Sequence, residues 1–186
     1  MIFSVSELAQ LLVASAVLSY IFTSFVKPSS QDVFSSYKRF DWKSFRYAAS
    51  VAVPSVILHE FGHKFIALAL GLDAHFQAWG LGLVLGLVLK FIGSGFLLLA
   101  PGYVIISNVS GPLSVFLTSF SGPFVNLVFW LGSLAVLRYH KNLKEQYLYY
   151  FGLFATVNKW LFLFNMLPIP PLDGSKVFLS LWQLLF

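Results

Sequence analysis

Four apolar segments, each about twenty residues or longer, limit what this chain can fold into. They occupy residues 8–26, 47–70, 112–137 and 148–167. A helix of about twenty apolar residues crosses the hydrocarbon core of a bilayer, and lipid offers no partner to an unpaired backbone group. Only 10% of the residues are charged, against about 25% in soluble domains. The sequence therefore predicts an all-α polytopic membrane protein with about four transmembrane helices and a multi-pass location in the cell membrane.

The remaining segments complete this prediction. The first apolar segment has no positively charged n-region before it and no small-residue cleavage site, so we expect a retained span and not a signal peptide. Residues 176–186 are apolar but too few to cross, and they predict a short C-terminal helix. The net charge of +5 comes largely from basic residues that flank the spans, which indicates lipid headgroups and not nucleic acid as their partners.

The segment between the second and third long spans, residues 72–111, does not read as a simple crossing. Residues 74–79 suit a short strand. Residues 80–92 are apolar but contain three glycines and Lys90, and they are too few to span a bilayer. Residues 95–107 carry Pro101 and Gly102 in the middle, a pattern typical of a strand–turn–strand unit. We therefore expect a small re-entrant β-hairpin region, buried against protein because lipid does not tolerate irregular exposed backbone.

The second span contains the sequence HEFGH at residues 59–63. On a helix, His59 and His63 lie at positions i and i+4 on one face, where two imidazoles can reach the same metal ion. Glu60 follows the first histidine, the position from which such motifs supply a general base for water. A chance match or two core histidines is the alternative. Three ionisable groups in five residues of an apolar span argue against it, since such groups are costly in a bilayer.

A catalytic zinc ion needs a third protein ligand and one open position. We expect four acidic residues to be solvated at the ends of spans: Glu7, Asp32, Asp41 and Glu145. Asp73 lies just beyond the second span, where a loop or capping role is expected. Asp173 is left, in a proline-rich stretch that cannot be helical throughout. An unwound segment allows a carboxylate to turn inward, although a surface turn is the alternative there.

Depth along the spans restricts their arrangement. His59 lies about halfway along the second span and Asp173 lies past the end of the fourth, so the two can meet only if these spans run parallel. The third span must then run antiparallel to both. This arrangement requires residues 72–111 to enter and leave on one face, as a hairpin would. It also places Asn126 in the half of its helix that is nearer the metal.

The HEFGH motif together with residues 165–174 (NMLPIPPLDG) resembles the site-2 protease family of intramembrane zinc metalloproteases. The likeness is to compact archaeal and bacterial members without a PDZ domain, and it covers a core of about residues 47–176 of a single domain that spans residues 1–186. The resemblance implies that His59, His63 and Asp173 bind one zinc ion. It further implies that Glu60 activates water, and that Asn165 acts as a donor to an oxyanion or to the substrate peptide.

Gly122, Pro123 and Asn126 resemble a further element of the same family. By this resemblance we expect Asn126 to contact substrate. The expected partners are a transmembrane protein substrate and the lipid bilayer, with no nucleic acid. The basic connections predict a cytoplasmic location for their own face, with the zinc ion nearer the outer side, whereas the resemblance implies the reverse.

The expected reaction is hydrolysis of a peptide bond within or near a transmembrane segment, with Glu60 moving the proton. An opened substrate could pair with the strand region around residues 96–106 by β-augmentation. A membrane metal carrier that uses the same cluster is the alternative, and Glu60 discriminates, since a carrier can use it as a ligand. Lys64 is expected to snorkel. Asn158 and Lys159 either line a water path or face a neighbouring helix.

Overall fold

The computed structural model describes residues 2–26, 40–93 and 101–186, and the chain in these ranges is mostly helical. The elements in chain order are α1 (Val5–Phe22, followed by a 3-10 turn at Thr23–Phe25), α2 (Trp42–Ala69), β1 (Asp73–Ala78), α3 (Gly80–Ile92), β2 (Gly102–Ser107), α4 (Pro112–Tyr139), α5 (Glu145–Asn165) and α6 (Asp173–Leu185). Of the predicted connection at residues 27–46, residues 27–39 lie outside the described ranges.

Three helices in the described ranges are long and apolar enough to cross a membrane: α1 with its 3-10 turn, α2 and α4. The fourth predicted span forms α5, a helix of 21 residues, but it is not among the three. Three tyrosines in its first turns and the polar pair Asn158 and Lys159 lower its apolar character. The fold class is confirmed as an all-α membrane protein with a small sheet.

The hairpin region is confirmed in part. Strands β1 and β2 form a two-stranded antiparallel sheet in which Phe76 pairs with Val104. The prediction of a strand–turn–strand at residues 95–107 differs from the structure, because Gly102 begins β2 and residues 94–100 lie outside the described ranges. Residues 80–92 form α3 and no strand. This segment is rich in leucine, a good helix former, and a helix pairs its own backbone groups without a neighbouring strand.

The helix directions follow from contacts at two depths. Ser55 and His63 of α2 contact Asn126 and Thr118 of α4, so the numbering of the two helices runs in opposite directions. At α5 the numbering runs with that of α2: the ring of Tyr47 lies against Tyr149, and Ser55 bonds to Asn158. Helices α2 and α5 are therefore parallel and α4 is antiparallel to both, as the depth argument predicts.

Two charged residues lie elsewhere than predicted. Glu7, expected to be solvated, is 4% exposed, and Lys64, expected to snorkel, is 1% exposed. The two form a buried ion pair between α1 and α2. The prediction failed because each residue was assessed against its own helix, whereas the partner lies 57 positions away in the chain. Asp41 is exposed as expected and caps α2, and Asp32 lies outside the described residues.

Candidate metal centre

Three side chains predicted to bind metal meet at one point. The Nε2 atoms of His59 and His63 lie 3.2 Å apart. Oδ2 of Asp173 lies 3.3 Å from the first of these atoms and 3.2 Å from the second. The histidines are buried and Asp173 is partly buried. The fold thus brings together residues that are more than a hundred positions apart in the sequence.

Both imidazoles are held with Nε2 toward this point by bonds at their other nitrogen. Nδ1 of His59 lies 2.7 Å from Oδ1 of Asn126, and Nδ1 of His63 lies 2.7 Å from the backbone carbonyl oxygen of Thr118. These oxygens only accept, so each Nδ1 donates its hydrogen and each Nε2 of a neutral ring presents a lone pair. Such outer partners commonly fix the tautomer of metal-binding histidines.

This geometry fits a zinc ion. Ligand atoms about 2.0–2.1 Å from a tetrahedral zinc ion are about 3.3–3.4 Å apart, close to the separations that join His59, His63 and Asp173. Two lone pairs and a carboxylate oxygen repel one another at this distance, and a cation between them would relieve the repulsion. Three protein ligands leave a fourth position open, as in catalytic zinc sites.

A glycine of α4 makes room for the two imidazoles. A Cβ atom on Gly122 would lie 2.8 Å from Nε2 of His59 and closer still to Nε2 of His63. On the facing helix α2, a Cβ atom on Gly62 would lie 2.7 Å from the backbone oxygen of Ser121. Helices α2 and α4 therefore approach through small residues, as membrane helices often do. This close approach holds the HEFGH segment against α4.

The position of Asp173 is set by the non-helical break between α5 and α6. Helix α5 ends at Asn165 and α6 begins at Asp173 itself, so the aspartate stands at the point where the chain turns back into a helix. A Cβ atom on Gly174 would collide with the backbone of Met166 and Leu167. Glycine at this position therefore lets the loop close tightly against the end of α5, which brings the carboxylate to the histidines.

Glu60 lies beside these ligands in the wall of a cavity of about 470 Å³. Its side chain is 8% exposed, and no described residue donates a hydrogen bond to it. The cavity is lined by the cluster of His59, His63 and Asp173, by β2, by Asn165 at the end of α5 and by Lys176 of α6. A carboxylate next to a metal site and open to a cavity is the arrangement that a general base for water requires.

The other predicted site residues take different positions. Asn165 lines the cavity, and its Nδ2 donates to the Leu161 carbonyl of its own helix. Asn126 is fully buried: besides its contact with His59, it donates to the carbonyl of Ser55 and to Oδ1 of Asn158. Its contact with substrate stays a prediction, while the bonds observed orient a histidine.

For two polar residues of α5, the sequence left open whether they line a water path or face a neighbouring helix. Asn158 is buried and donates to Oγ of Ser55 at 2.9 Å, so it faces the neighbouring helices. Lys159 is exposed and lies 5.8 Å from the ring centroids of Trp130 and Trp160. Neither lines the cavity. Sequence reasoning did not find the roles of Thr118 and Gly122, although a glycine flanked by serine and proline in an apolar span indicates a close helix contact.

Comparison with known proteins gives three relatives, all predicted zinc metalloproteases by name. MJ0611 of Methanocaldococcus jannaschii is 31% identical, over 94% of this chain and 84% of its own length. Sll0528 of Synechocystis is 32% identical over 70% of this chain, and YwhC of Bacillus subtilis is 30% identical over 39% of it. The matched parts are 30% and 32% of these two longer proteins.

No protein-family model and no solved structure matches the chain. The relationship therefore rests on the curated relatives and on the cluster of His59, His63 and Asp173. The similarity to MJ0611 extends over most of both chains, and the cluster has the donor set and spacing of a zinc site. This protein belongs to a family of zinc metalloproteases.

Proposed function

We propose that this protein is an intramembrane zinc metalloprotease of the site-2 type, which hydrolyses a peptide bond within or near a transmembrane segment of a membrane-protein substrate. The observation that carries the proposal is the position of the cluster of His59, His63 and Asp173. Both histidines lie on α2, a helix long and apolar enough to cross a membrane, and the cluster opens into a cavity that β2 also lines.

Depth supports cleavage inside the membrane. His59 and His63 lie 17 and 21 residues from the first residue of α2, which corresponds to about 25 and 32 Å along a helix axis. From the other end of α2 they lie about 15 and 9 Å away. The hydrocarbon core of a bilayer is about 30 Å thick. A metal site at these heights therefore falls within the depth occupied by a substrate helix.

The outer surface of the helices fits a lipid environment. Large apolar side chains are exposed along α1 and α4: Val5, Leu8, Leu12, Val13, Leu113, Leu117, Phe124, Val128, Leu131 and Leu134. Soluble monomers rarely expose contiguous apolar patches of this kind. Water that reaches Glu60 must then pass through the cavity that Glu60 lines.

The chemistry divides between the ligands and Glu60. His59, His63 and Asp173 would hold a zinc ion, which when bound supplies Lewis-acid chemistry and makes water more acidic. Glu60 accepts the proton of the attacking water and passes it to the amine that leaves. Asn165 lines the cavity, and the N–H of its Nδ2 that does not bond to Leu161 would donate to the oxyanion or to the substrate peptide.

The sheet supports binding of an extended substrate. Phe76 and Ala78 of β1 direct their N–H groups away from β2, to Glu7 and Gln10 of α1. Because backbone direction alternates along a strand, the residues of β1 that bond to β2 are those at 73, 75 and 77. Their partners are residues 107, 105 and 103 of β2.

Gly102, Val104 and Ile106 of β2 therefore direct their N–H and C=O groups to the other side, and all three line the cavity. A substrate helix hides its amides in its own hydrogen bonds, so it must unwind before cleavage. An unwound segment that pairs with this edge of β2 satisfies its backbone groups beside the metal centre.

The function is tested with purified protein in detergent and a panel of single-span membrane proteins that carry a fluorescent tag. Wild type is compared with Glu60→Gln and with the control Glu145→Gln, an exposed carboxylate at the start of α5, and zinc content is assayed in all three. Cleavage by wild type and by the control, with equal zinc in Glu60→Gln but no cleavage, is expected. Zinc without cleavage of any substrate would favour a metal carrier, and absence of zinc would contradict the metal centre itself.

A further inference from the structure

The ion pair between Glu7 and Lys64 has no place in the chemistry described so far. Both side chains are buried, and neither lines the cavity. Charges are costly to place at membrane depth and are rarely kept there without a function. Replacing a buried ion pair by apolar residues often leaves stability unchanged or raises it. Stability alone therefore does not account for this pair.

The Glu7 carboxylate joins three elements of the fold. Its Oε1 accepts from the ammonium group of Lys64 on α2 and, at 2.7 Å, from the backbone N–H of Phe76 on β1. Its Oε2 accepts from the backbone N–H of Ser4 at 2.8 Å, which completes the capping box of α1. The ammonium group of Lys64 also lies 4.4 Å from the ring centroid of Phe3.

Gln10 extends the same contact by one turn of α1. Its Oε1 accepts from the backbone N–H of Ala78 at 2.8 Å. Residues three apart lie on one helix face, so Glu7 and Gln10 together take up successive outward N–H groups of β1. These two N–H groups of β1 are therefore not free to pair with an added strand.

The contacts of Glu7 connect a residue beside the metal centre with a residue of the hairpin. Lys64 directly follows the predicted metal ligand His63, and Phe76 is the register partner of Val104, which lines the cavity. We propose that Glu7, Lys64 and Gln10 form a clamp that positions the β1–β2 hairpin, and with it the substrate-pairing edge of β2, relative to the metal centre. This proposal rests on the proposed function.

Hydrogen bonds are directional, which explains why polar and charged side chains, and not apolar ones, hold β1 against α1. An apolar contact would let β1 slide along α1, and a shift of one residue would turn the side chains of the strand to the opposite face. A carboxylate and an amide that accept from two defined N–H groups permit one register only. The ion pair between Glu7 and Lys64 adds the same restriction between α1 and α2, because breaking a buried pair is costly.

The test compares wild type with the double variant Glu7→Met/Lys64→Met and with Gln10→Leu. The double variant removes both charges together, so that no unpaired charge is buried, and Gln10→Leu removes a single hydrogen bond and is expected to fold in any case. Lys159→Met, which removes an exposed lysine from α5, is the control. The chain has no cysteine, so spin labels at Ile105→Cys and Leu134→Cys report the distance between β2 and α4.

In the clamp variants we expect the label distances to broaden and KM for the best substrate of the panel to rise about tenfold, with kcat and zinc content within about twofold of wild type. Lys159→Met should match wild type in all of these. Unchanged distances would overturn the proposal, as would broadened distances with unchanged KM. Loss of zinc together with kcat would also overturn it, because the clamp would then act on the metal centre. If wild type cleaves nothing, the proposed function fails, and the distances still decide whether the clamp holds the hairpin.

Discussion

Gly122 of α4 lies directly against Nε2 of His63, so that a single methyl group at this position would occupy space that the imidazole needs. The same Cβ atom would lie 2.8 Å from Nε2 of His59. The wall that α4 forms beside the two histidines is therefore bare backbone at this position. A glycine in a helix interior is less favourable than alanine by about 1 kcal/mol, and here the space for the two histidines outweighs that cost.

Substitution of this glycine should separate metal binding from folding. In Gly122→Ala we expect zinc affinity to fall by at least about tenfold, because both imidazoles must move from the geometry set by Asn126 and Thr118. Gly132→Ala on the same helix is the matched control, since a Cβ atom at Gly132 would have no described atom of another residue within 4 Å. Zinc titration of the two purified variants checks this. Equal affinities would contradict the predicted role of the glycine.

Asn126 should act on the metal through His59. Replacement by leucine removes the acceptor for Nδ1 of His59, and loss of such an outer partner typically weakens metal affinity by about 10- to 100-fold. It also removes the donor to the carbonyl of Ser55 and to Oδ1 of Asn158, so some loss of thermal stability is expected. Ser133→Ala removes a buried hydroxyl from the same helix that bonds only to its own turn, and it should retain full zinc affinity.

Metal should stabilise the fold and should do so less at low pH. His59, His63 and Asp173 repel one another through closely spaced lone pairs, so removal of zinc with a chelator should lower Tm and its return should raise it. Protons compete with metal for imidazole and carboxylate, so zinc affinity should decrease as the pH falls from about 7 to about 5. Thermal unfolding with and without chelator across this range measures both effects. A Tm independent of metal would count against the site.

The edge of β2 should be needed for cleavage of the substrate and not for binding of the metal. Val104→Pro removes the N–H of a cavity-lining residue, which by the register takes no part in pairing with β1, and proline is tolerated at such an edge. We expect kcat/KM to fall by about tenfold or more while zinc content is unchanged. Val104→Ala keeps the N–H and is the control. A fall of the same size in both variants would point to the valine side chain, and no fall in either would remove strand pairing from the mechanism.

Local patterns in the chain were sufficient for much of this description. Apolar runs of sufficient length predicted the helices, since lipid leaves a backbone no alternative to internal hydrogen bonds. The spacing of His59 and His63 placed both on one helix face. The position of Asp173 beyond its span required α2 and α5 to be parallel, and the contacts of Tyr47 with Tyr149 and of Ser55 with Asn158 show this arrangement.

Other features were decided only when distant segments met. The sequence by itself determined which residues could bind a metal and that two of them, His59 and His63, lie within a long apolar segment. The tertiary structure decided that Glu7 and Lys64 form a buried pair, that Asn126 orients His59, and that Gly122 leaves room for both imidazoles. The reason is physical: the periodicity of a helix is a property of neighbouring residues, whereas the burial of a charge or the need for a glycine depends on which partner the fold brings against it.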